Sequence, residues 1–296
     1  MEWTERRKRF RGLLAGERCI HPGSVFDPLS ARIAEALGFE AGMFAGSIAS
    51  FAVLGNPDLI LLTLTEFAAQ AYRICRAGTL PLLVDADHGY GNALNVMRTV
   101  EELETAGVAA LSIEDTALPA SFGGAGEMRL IPIEEGVGKM RAALAARQDP
   151  SLVILGRTQA ISVTGLENTI ARARAYEAAG VDGLFFVGLK QRAELDAIAA
   201  AVRLPIVIGG GGAELEDPAY LGARGVRVAL QGHQPFLAAV KAVHDTLKAL
   251  REGAKPATLP GIAPAELMKA VTREAQYKRW TGAFLSPERA KDGERR

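Results

Sequence analysis

Eight short apolar runs, each handed on to a helix-patterned segment, limit what this 296-residue chain can fold into. They lie at 19–21, 41–44, 80–84, 109–113, 152–156, 183–187, 205–208 and 226–230. Runs this short, without polar alternation, read as strands buried on both faces, which is the habit of parallel sheets. Helical periodicity follows at 29–37, 65–77, 93–106, 133–146, 168–179, 192–200, a short piece near 215–221, and 235–250. Asp27 before Pro28 is a helix start, and Gly107 and Gly180 are helix stops. Only 50–64, with a turn at Asn56-Pro57-Asp58, resists assignment.

An α/β fold of the (β/α)8 TIM-barrel type accounts for the strand count and spacing better than a doubly wound sheet. No composition break divides the chain, so 1–296 reads as a single domain. Beyond Gly253 a proline-containing linker leads to one more apolar helix, 263–275, and then a polar tail. Residues 251–296 are therefore expected as a C-terminal helical extension that caps the barrel or packs on a neighbouring subunit.

Composition excludes several classes of function. Formal net charge is zero, from 34 basic and 34 acidic side chains, and no basic patch is interleaved with aromatics. Nucleic acid and anionic membrane are thus poor partners. The basic tract at 6–11 is flanked by acids and reads as a solvated amphipathic start. Cys19 and Cys75 form no ligand-spaced pair, which argues against a zinc cluster or disulfide scaffold. With no apolar signal core and no membrane-length run, a soluble cytoplasmic protein is expected.

In a barrel, chemistry comes from the C-terminal ends of the strands. The strands here deliver Ser24 and Asp27, then Ser47, then Asp85 with Asp87, then Glu114 with Asp115, then Arg157 with Gln159. The seventh is followed by Gly209 to Gly212, and the eighth by Gln231-Gly232-His233. Clustered carboxylates with no cysteine and few histidines suit a hard cation, Mg2+ or Mn2+. Arg157 stands where a substrate carboxylate could be held bidentately. The glycine run lacks a dinucleotide fingerprint or Walker lysine, so it serves close backbone approach as well as it would a phosphate cup. His233 reads as functional, His21 as a core or rim residue and His244 as neither. The job of His88, directly beyond the acids, stays open. Asp115 reads equally as a supporting or a capping residue.

The stretch Val84-Asp85-Ala86-Asp87-His88-Gly89-Tyr90-Gly91-Asn92, joined to Gly46-Ser47 and Ile113-Glu114-Asp115, resembles the isocitrate lyase and phosphoenolpyruvate mutase superfamily. The resemblance runs from about Ser24 to His233 and into the last barrel helix. Within the superfamily, Gly46-Ser47-Ile48-Ala49-Ser50, Asp87 to Asn95 and Gln231-Gly232-His233 are most similar to the oxaloacetate decarboxylase group. The resemblance implies a barrel whose eighth helix is exchanged between subunits, in a dimer of dimers. It implies Mg2+ held directly by Asp85, with Asp87, Glu114 and Asp58 acting through metal-bound water. Ser47, Arg157 and His233 would then form the substrate site.

One departure decides between activities. Superfamily lyases acting on isocitrate and methylisocitrate carry a Lys-Lys-Cys-Gly-type loop, and the carbon–phosphorus enzymes a Lys-Thr-Asn type. Here the corresponding segment is Asp115-Thr116-Ala117-Leu118-Pro119-Ala120-Ser121-Phe122, with neither signature. The expected reaction is Mg2+-dependent decarboxylation of oxaloacetate to pyruvate and carbon dioxide, catalysed through Asp85, Arg157 and His233. The alternatives are a carbon–carbon lyase for an alkylmalate or related 2-hydroxy acid and, more remotely, a non-catalytic small-molecule-binding barrel.

Overall fold

The computed structural model describes residues 3–123 and 127–285. In chain order the elements are α1 (Trp3–Ala15), β1 (Gly23–Ser24), α2 (Pro28–Ala36), β2 (Gly42–Phe44), α3 (Gly46–Ala49), α4 (Leu64–Cys75), β3 (Leu82–Asp85) and α5 (Ala93–Thr105). Then come β4 (Ala110–Glu114), α6 (Ile133–Ala146), β5 (Val153–Thr158), α7 (Ala160–Val163), α8 (Leu166–Ala179), β6 (Gly183–Val187) and α9 (Arg192–Ala201). The chain continues through β7 (Ile206–Gly209), α10 (Pro218–Ala223), β8 (Val226–Leu230), α11 (Gln234–Arg251), α12 (Ala265–Val271) and α13 (Glu274–Phe284).

The strands form one eight-stranded sheet in sequential order, every pairing parallel. Parallel neighbours need a crossover between them, and the helices supply it. Both faces of the sheet are covered: Leu83, Val84, Leu111, Ile113, Leu155 and Val207 are fully inaccessible. The first apolar run does not make the first ladder strand. Its central residue, Ile20, forms an isolated parallel bridge with Val228 of β8, receiving from Ala229 N and donating to Arg227 O, both at 2.9 Å. Pro22, with no N–H to donate, cannot extend this bridge along β8, and Gly23–Ser24 pairs with β2.

Helix starts follow the local chemistry. Asp27 caps α2 ahead of Pro28, with Ser30 closing a capping box. Thr63 and Glu66 do the same for α4, and Asn92 and Asn95 for α5. Each such cap is worth about 1 kcal/mol. The ambiguous stretch 50–64 opens as a π-helical turn, Ser50–Leu54, continuing α3.

The tract at 6–11 departs from its solvated reading. Arg6 and Arg7 are buried. Arg7 donates to Val108 O at 3.1 Å, Glu104 O at 2.5 Å and Asp149 at 2.8 Å. Arg11 donates to Ser151 O, Leu152 O and Asp182, and Arg6 to Cys75 O. Their acceptors include main-chain carbonyls just ahead of β4 and β5, groups that a sheet end leaves without ladder partners. Arginine, with five donors in a planar fork, meets several at once.

The chain divides into two compact units, Met1–Ala239 and Val240–Arg296. The first contains the whole sheet. In the second, the single helix expected at 263–275 is two, α12 and α13, separated at Arg273 with its left-handed φ of +59°. Tyr277 and Trp280 pack edge to face in α13. The polar tail beyond 285, and Gly124 and Gly126 of the loop after β4, lie outside the described residues. No helix among the described residues is long and apolar enough to cross a membrane.

Candidate active site

The site grows from the end of β3. Asp85 is the last strand residue, and its Oδ1 receives Ser112 Oγ of β4 at 3.3 Å and Asp87 N at 3.2 Å. The chain must then reverse into α5 within seven residues, and it does so with Asp87, Gly89, Tyr90 and Gly91 all at positive φ. Asp87 (+47°) and Tyr90 (+60°) are not glycines, so each costs about 1–2 kcal/mol of backbone strain. Strain held in a turn like this is typical of sites where side-chain direction matters more than stability. The Asp87 carboxylate lies against Gly46, where a Cβ would stand 2.5 Å from Oδ1. A side chain at position 46 would therefore push the Asp87 carboxylate from this position.

On β4, Glu114 points the same way, while its neighbour Asp115 points to the helices behind. Glu114 is 3% exposed, and its Oε2 has no hydrogen-bond partner. Burial pushes its carboxyl up to about 7, against the pull of Arg157 and with added repulsion from Asp85 and Asp115. Asp87 is raised well above its ordinary value, by burial first and then by Asp85 and Glu114. Asp58 is raised too, by burial and Asp85. Four acids thus crowd one end of the sheet.

Arg157 of β5 answers part of that charge. One terminal nitrogen donates to Asp85 Oδ2 and the other lies 3.3 Å from Glu114 Oε2. Burial opposes its charge, but Asp85 and Glu114 outweigh burial and hold it protonated. Its Nε, buried, has no hydrogen-bond partner. The sequence reading has Arg157 gripping a substrate carboxylate with its fork. In this structure the fork grips the protein's own acids.

These groups line a cavity of about 710 Å³ that also takes in Ser47 of α3, Asp58, Gly209, Gly210 and His233. Ser47, Asp58, Asp85, Asp87, Glu114, Arg157 and His233 thus share one cavity, whereas Asp27 caps α2 and Asp115 turns to α8. His233 follows β8, and its Nδ1 shares a 2.9 Å hydrogen bond with Ser24 Oγ at the end of β1. Burial lowers the imidazole's pKa, with Asp85 pulling the other way. His88 does not line the cavity. The residue is 4% exposed, its Nδ1 is buried without a hydrogen-bond partner, and burial, then Lys139, push its pKa down to about 4. His21 Nδ1 meets Ala229 O at 2.8 Å, as a rim residue would.

The sequence left one contribution open between two readings, Asp115 as support or cap, and missed two more. Asp115 is fully buried and receives Tyr176 OH at 2.7 Å and Arg172 Nη1 at 3.0 Å, so it ties the end of β4 to α8. The loop after β4 folds back on itself through Ala117 N to Arg129 O and Ile131 N to Asp115 O, and so lays Leu118, Met128 and Arg129 along the cavity. Lys139 of α6 reaches the turn after β3 from outside. Neither the loop contacts nor Lys139 has a local sequence signal beyond its residue type.

The sequence profile of the phosphoenolpyruvate phosphomutase family matches residues 10–251. The chain belongs to this family. An oxaloacetate decarboxylase of Bradyrhizobium diazoefficiens is 63% identical over 278 residues, covering 94% of this chain and 96% of the relative. An oxaloacetate acetylhydrolase solved with the inhibitor 3,3-difluorooxalacetate superposes with a TM-score of 0.84 at 29% identity, covering 95% and 97% of the two chains. A phosphonopyruvate hydrolase solved with oxalate and Mg2+ gives 0.84 at 26%, covering 95% and 99%.

Whether this member of the phosphomutase family suits a divalent cation is testable on its donors. Asp58, Asp85, Asp87 and Glu114 are all oxygen donors, the set a hard cation takes. Glu114 Oε2 is buried without a hydrogen bond, and the acids raise one another's pKa values, which a cation among them would relieve. Among the described residues no three such groups stand as a ready-made all-protein cage. Mg2+ does not need one, since it commonly keeps several waters and takes one or two carboxylates. The residues fit.

Proposed function

We propose that this protein is an Mg2+-dependent oxaloacetate decarboxylase, releasing pyruvate and carbon dioxide. The observation that carries the reading is the 63% identity to a protein of that name along 94% of the chain. A cavity lined by Asp85, Arg157 and His233 with no cysteine among its lining residues supports it. Decarboxylation needs no strong base, whereas the cysteine-dependent carbon–carbon cleavages do.

Asp85 would hold the cation directly, and Asp87, Glu114 and Asp58 through its water. Bound Mg2+, or Mn2+, supplies a Lewis acid for the charge that develops on the substrate's C2 oxygen. The C3–C4 bond breaks and its electron pair passes through C3 toward the C2 oxygen. Carbon dioxide leaves, and C3 takes up a proton from water. Ser47 binds the carboxylate and carbonyl region of the substrate. Arg157, whose Nε keeps a donor without a protein partner, fixes the pose and contributes through orientation. His233, held by Ser24, contacts a substrate carboxylate and selects for the dicarboxylate over smaller oxoacids.

The decisive assay follows pyruvate from oxaloacetate with Mg2+, alongside glyoxylate, oxalate and acetate as products of the competing cleavages. Free metal decarboxylates oxaloacetate unaided, so Asp85→Ala is the control. Equal rates for both proteins would end the proposal, and oxalate with acetate would replace it by hydrolysis.

The same proposal includes closure of the sheet as a (β/α)8 barrel over one domain, with 251–296 as its extension, and exchange of α11 between subunits of a homotetramer. The Ile20–Val228 bridge supports closure. The exchange has two supports. Helix α11 buries no residue and leaves Leu237, Val240, Val243 and Leu247 more than half exposed at helical spacing. An apolar groove of about 430 Å³, with Phe26, Ile33, Leu37 and Phe39 in its wall, lies beside β1. Light scattering should give a tetramer, and a monomer would refute the exchange. A cytoplasmic setting is proposed from two buried, unbridged cysteines, the state that reducing compartments maintain.

A further inference from the structure

The turn between β3 and α5 holds Asp87 and Tyr90 in the left-handed region, and such a backbone lasts only where its surroundings over-determine it. Its ends are tied by the sheet and by the α5 cap: Glu114 N donates to Asp87 O at 2.8 Å, and Asn92 caps the helix. Its middle is tied by two side chains from outside. Lys139 Nζ donates to His88 O at 2.8 Å, and Thr99 Oγ1 donates to Gly89 O at 3.0 Å.

Lys139 is the unusual one. It is 3% exposed, and among the described residues it forms no ion pair. Burial pulls its pKa down, against Glu135, Glu114 and Asp115. A buried ammonium without an ion-pair partner is a poor stabiliser, and apolar replacements of buried charges are often neutral or favourable. A role in folding alone therefore explains it badly. What it touches is the carbonyl next to Asp87.

We propose that Lys139 is a positioning residue for Asp87, pinning the His88 carbonyl so that the turn presents the Asp87 carboxylate to the cavity. It does not meet the substrate, and its effect travels through one backbone carbonyl. The inference rests on the reading of Asp87 as a carboxylate that serves a divalent cation through water.

The test is Mn2+ binding to the full-length protein, read by electron paramagnetic resonance of the free ion, with unfolding temperature measured separately without metal. Lys139→Met should weaken Mn2+ about tenfold, the loss usual for an outer support of a metal site. Its unfolding temperature should change little. Lys139→Arg, which can still donate to the carbonyl, should recover most of the affinity. Should Lys139→Met fail to fold, Lys139→Gln, which is too short to reach, carries the same expectation. Wild-type affinity in a folded Met or Gln variant overturns the proposal. So does a loss of stability with no loss of affinity. If the wild-type protein binds no Mn2+, or Asp87→Asn binds it equally well, the cation reading itself fails, and that outcome is distinct from the first.

Discussion

Ser24 and His233, 209 residues apart in the chain, meet across the rim at 2.9 Å between Oγ and Nδ1. The contact joins the end of the first strand to the end of the last. It also leaves Nε2 as the imidazole's nitrogen for a ligand. Ser24→Ala should leave the fold intact and lower kcat/KM for oxaloacetate about two- to tenfold, the value of one hydrogen bond. The loss should fall mainly on KM, with Ser24→Thr close to wild type. Steady-state kinetics decide it, and an unchanged KM would mean that His233 is held elsewhere.

Arg157 pairs with both Asp85 and Glu114 and offsets part of their charge from within the protein. Arg157→Gln removes that offset and leaves the acids to repel. The metal-free variant should melt several degrees below wild type, and millimolar Mg2+ should raise its melting temperature by more than it raises the wild-type value. Differential scanning fluorimetry with and without Mg2+ reads both. Activity should fall as well, and Lys should not restore it, because a point charge cannot reproduce the planar fork.

Behind the site, Asp115 accepts from Tyr176 and Arg172 with no exposure to solvent. Tyr176→Phe deletes one donor and should cost about 1–2 kcal/mol. Asp115→Ala leaves Arg172 buried and unpaired, and should cost about 3–5 kcal/mol. Urea unfolding curves compare them. Similar losses for both would show that the ion pair adds nothing to the hydrogen bond.

Acid should weaken the face where α1 docks. Burial works to raise the Asp149 pKa, yet donors from Arg7, Ser151 N and Thr4 outweigh it and hold the carboxyl well below the usual range. A carboxylate whose folded pKa is depressed stabilises fully above its unfolded value, near pH ~4, and loses that contribution as pH falls toward the folded value. Asp149→Asn should therefore be less stable than wild type at neutral pH, with the gap closing below pH ~4. Parallel stability curves across that range would contradict the assignment.

Much of this architecture was legible before any coordinates. The apolar runs located seven of the eight strands to within a few residues, because burial on both faces excludes polar side chains and turn residues must punctuate the runs. The first run forms only the isolated Ile20 bridge, and β1 starts just after it. The runs also put Asp85, Glu114 and Arg157 at strand ends. Asp58 was visible only through family resemblance, since a loop acid carries no periodicity. The arginines of α1 were misread, since a charged run looks the same whether it faces water or the open carbonyls of a sheet end. The trailing helix was misread as one, since nothing local announces the left-handed Arg273.

What the sequence determined by itself was thus the alternation of elements, the caps that start them, and the side chains delivered to one rim. Those follow from interactions between residues close in the chain. Only the tertiary structure decided that Arg157 holds Asp85 and Glu114, that Ser24 holds His233, that Lys139 holds the turn after β3, and that Asp115 ties the end of β4 to α8. Each of those contacts joins different strands or helices, and its partner is chosen by the register of the sheet and the packing of the helices on it.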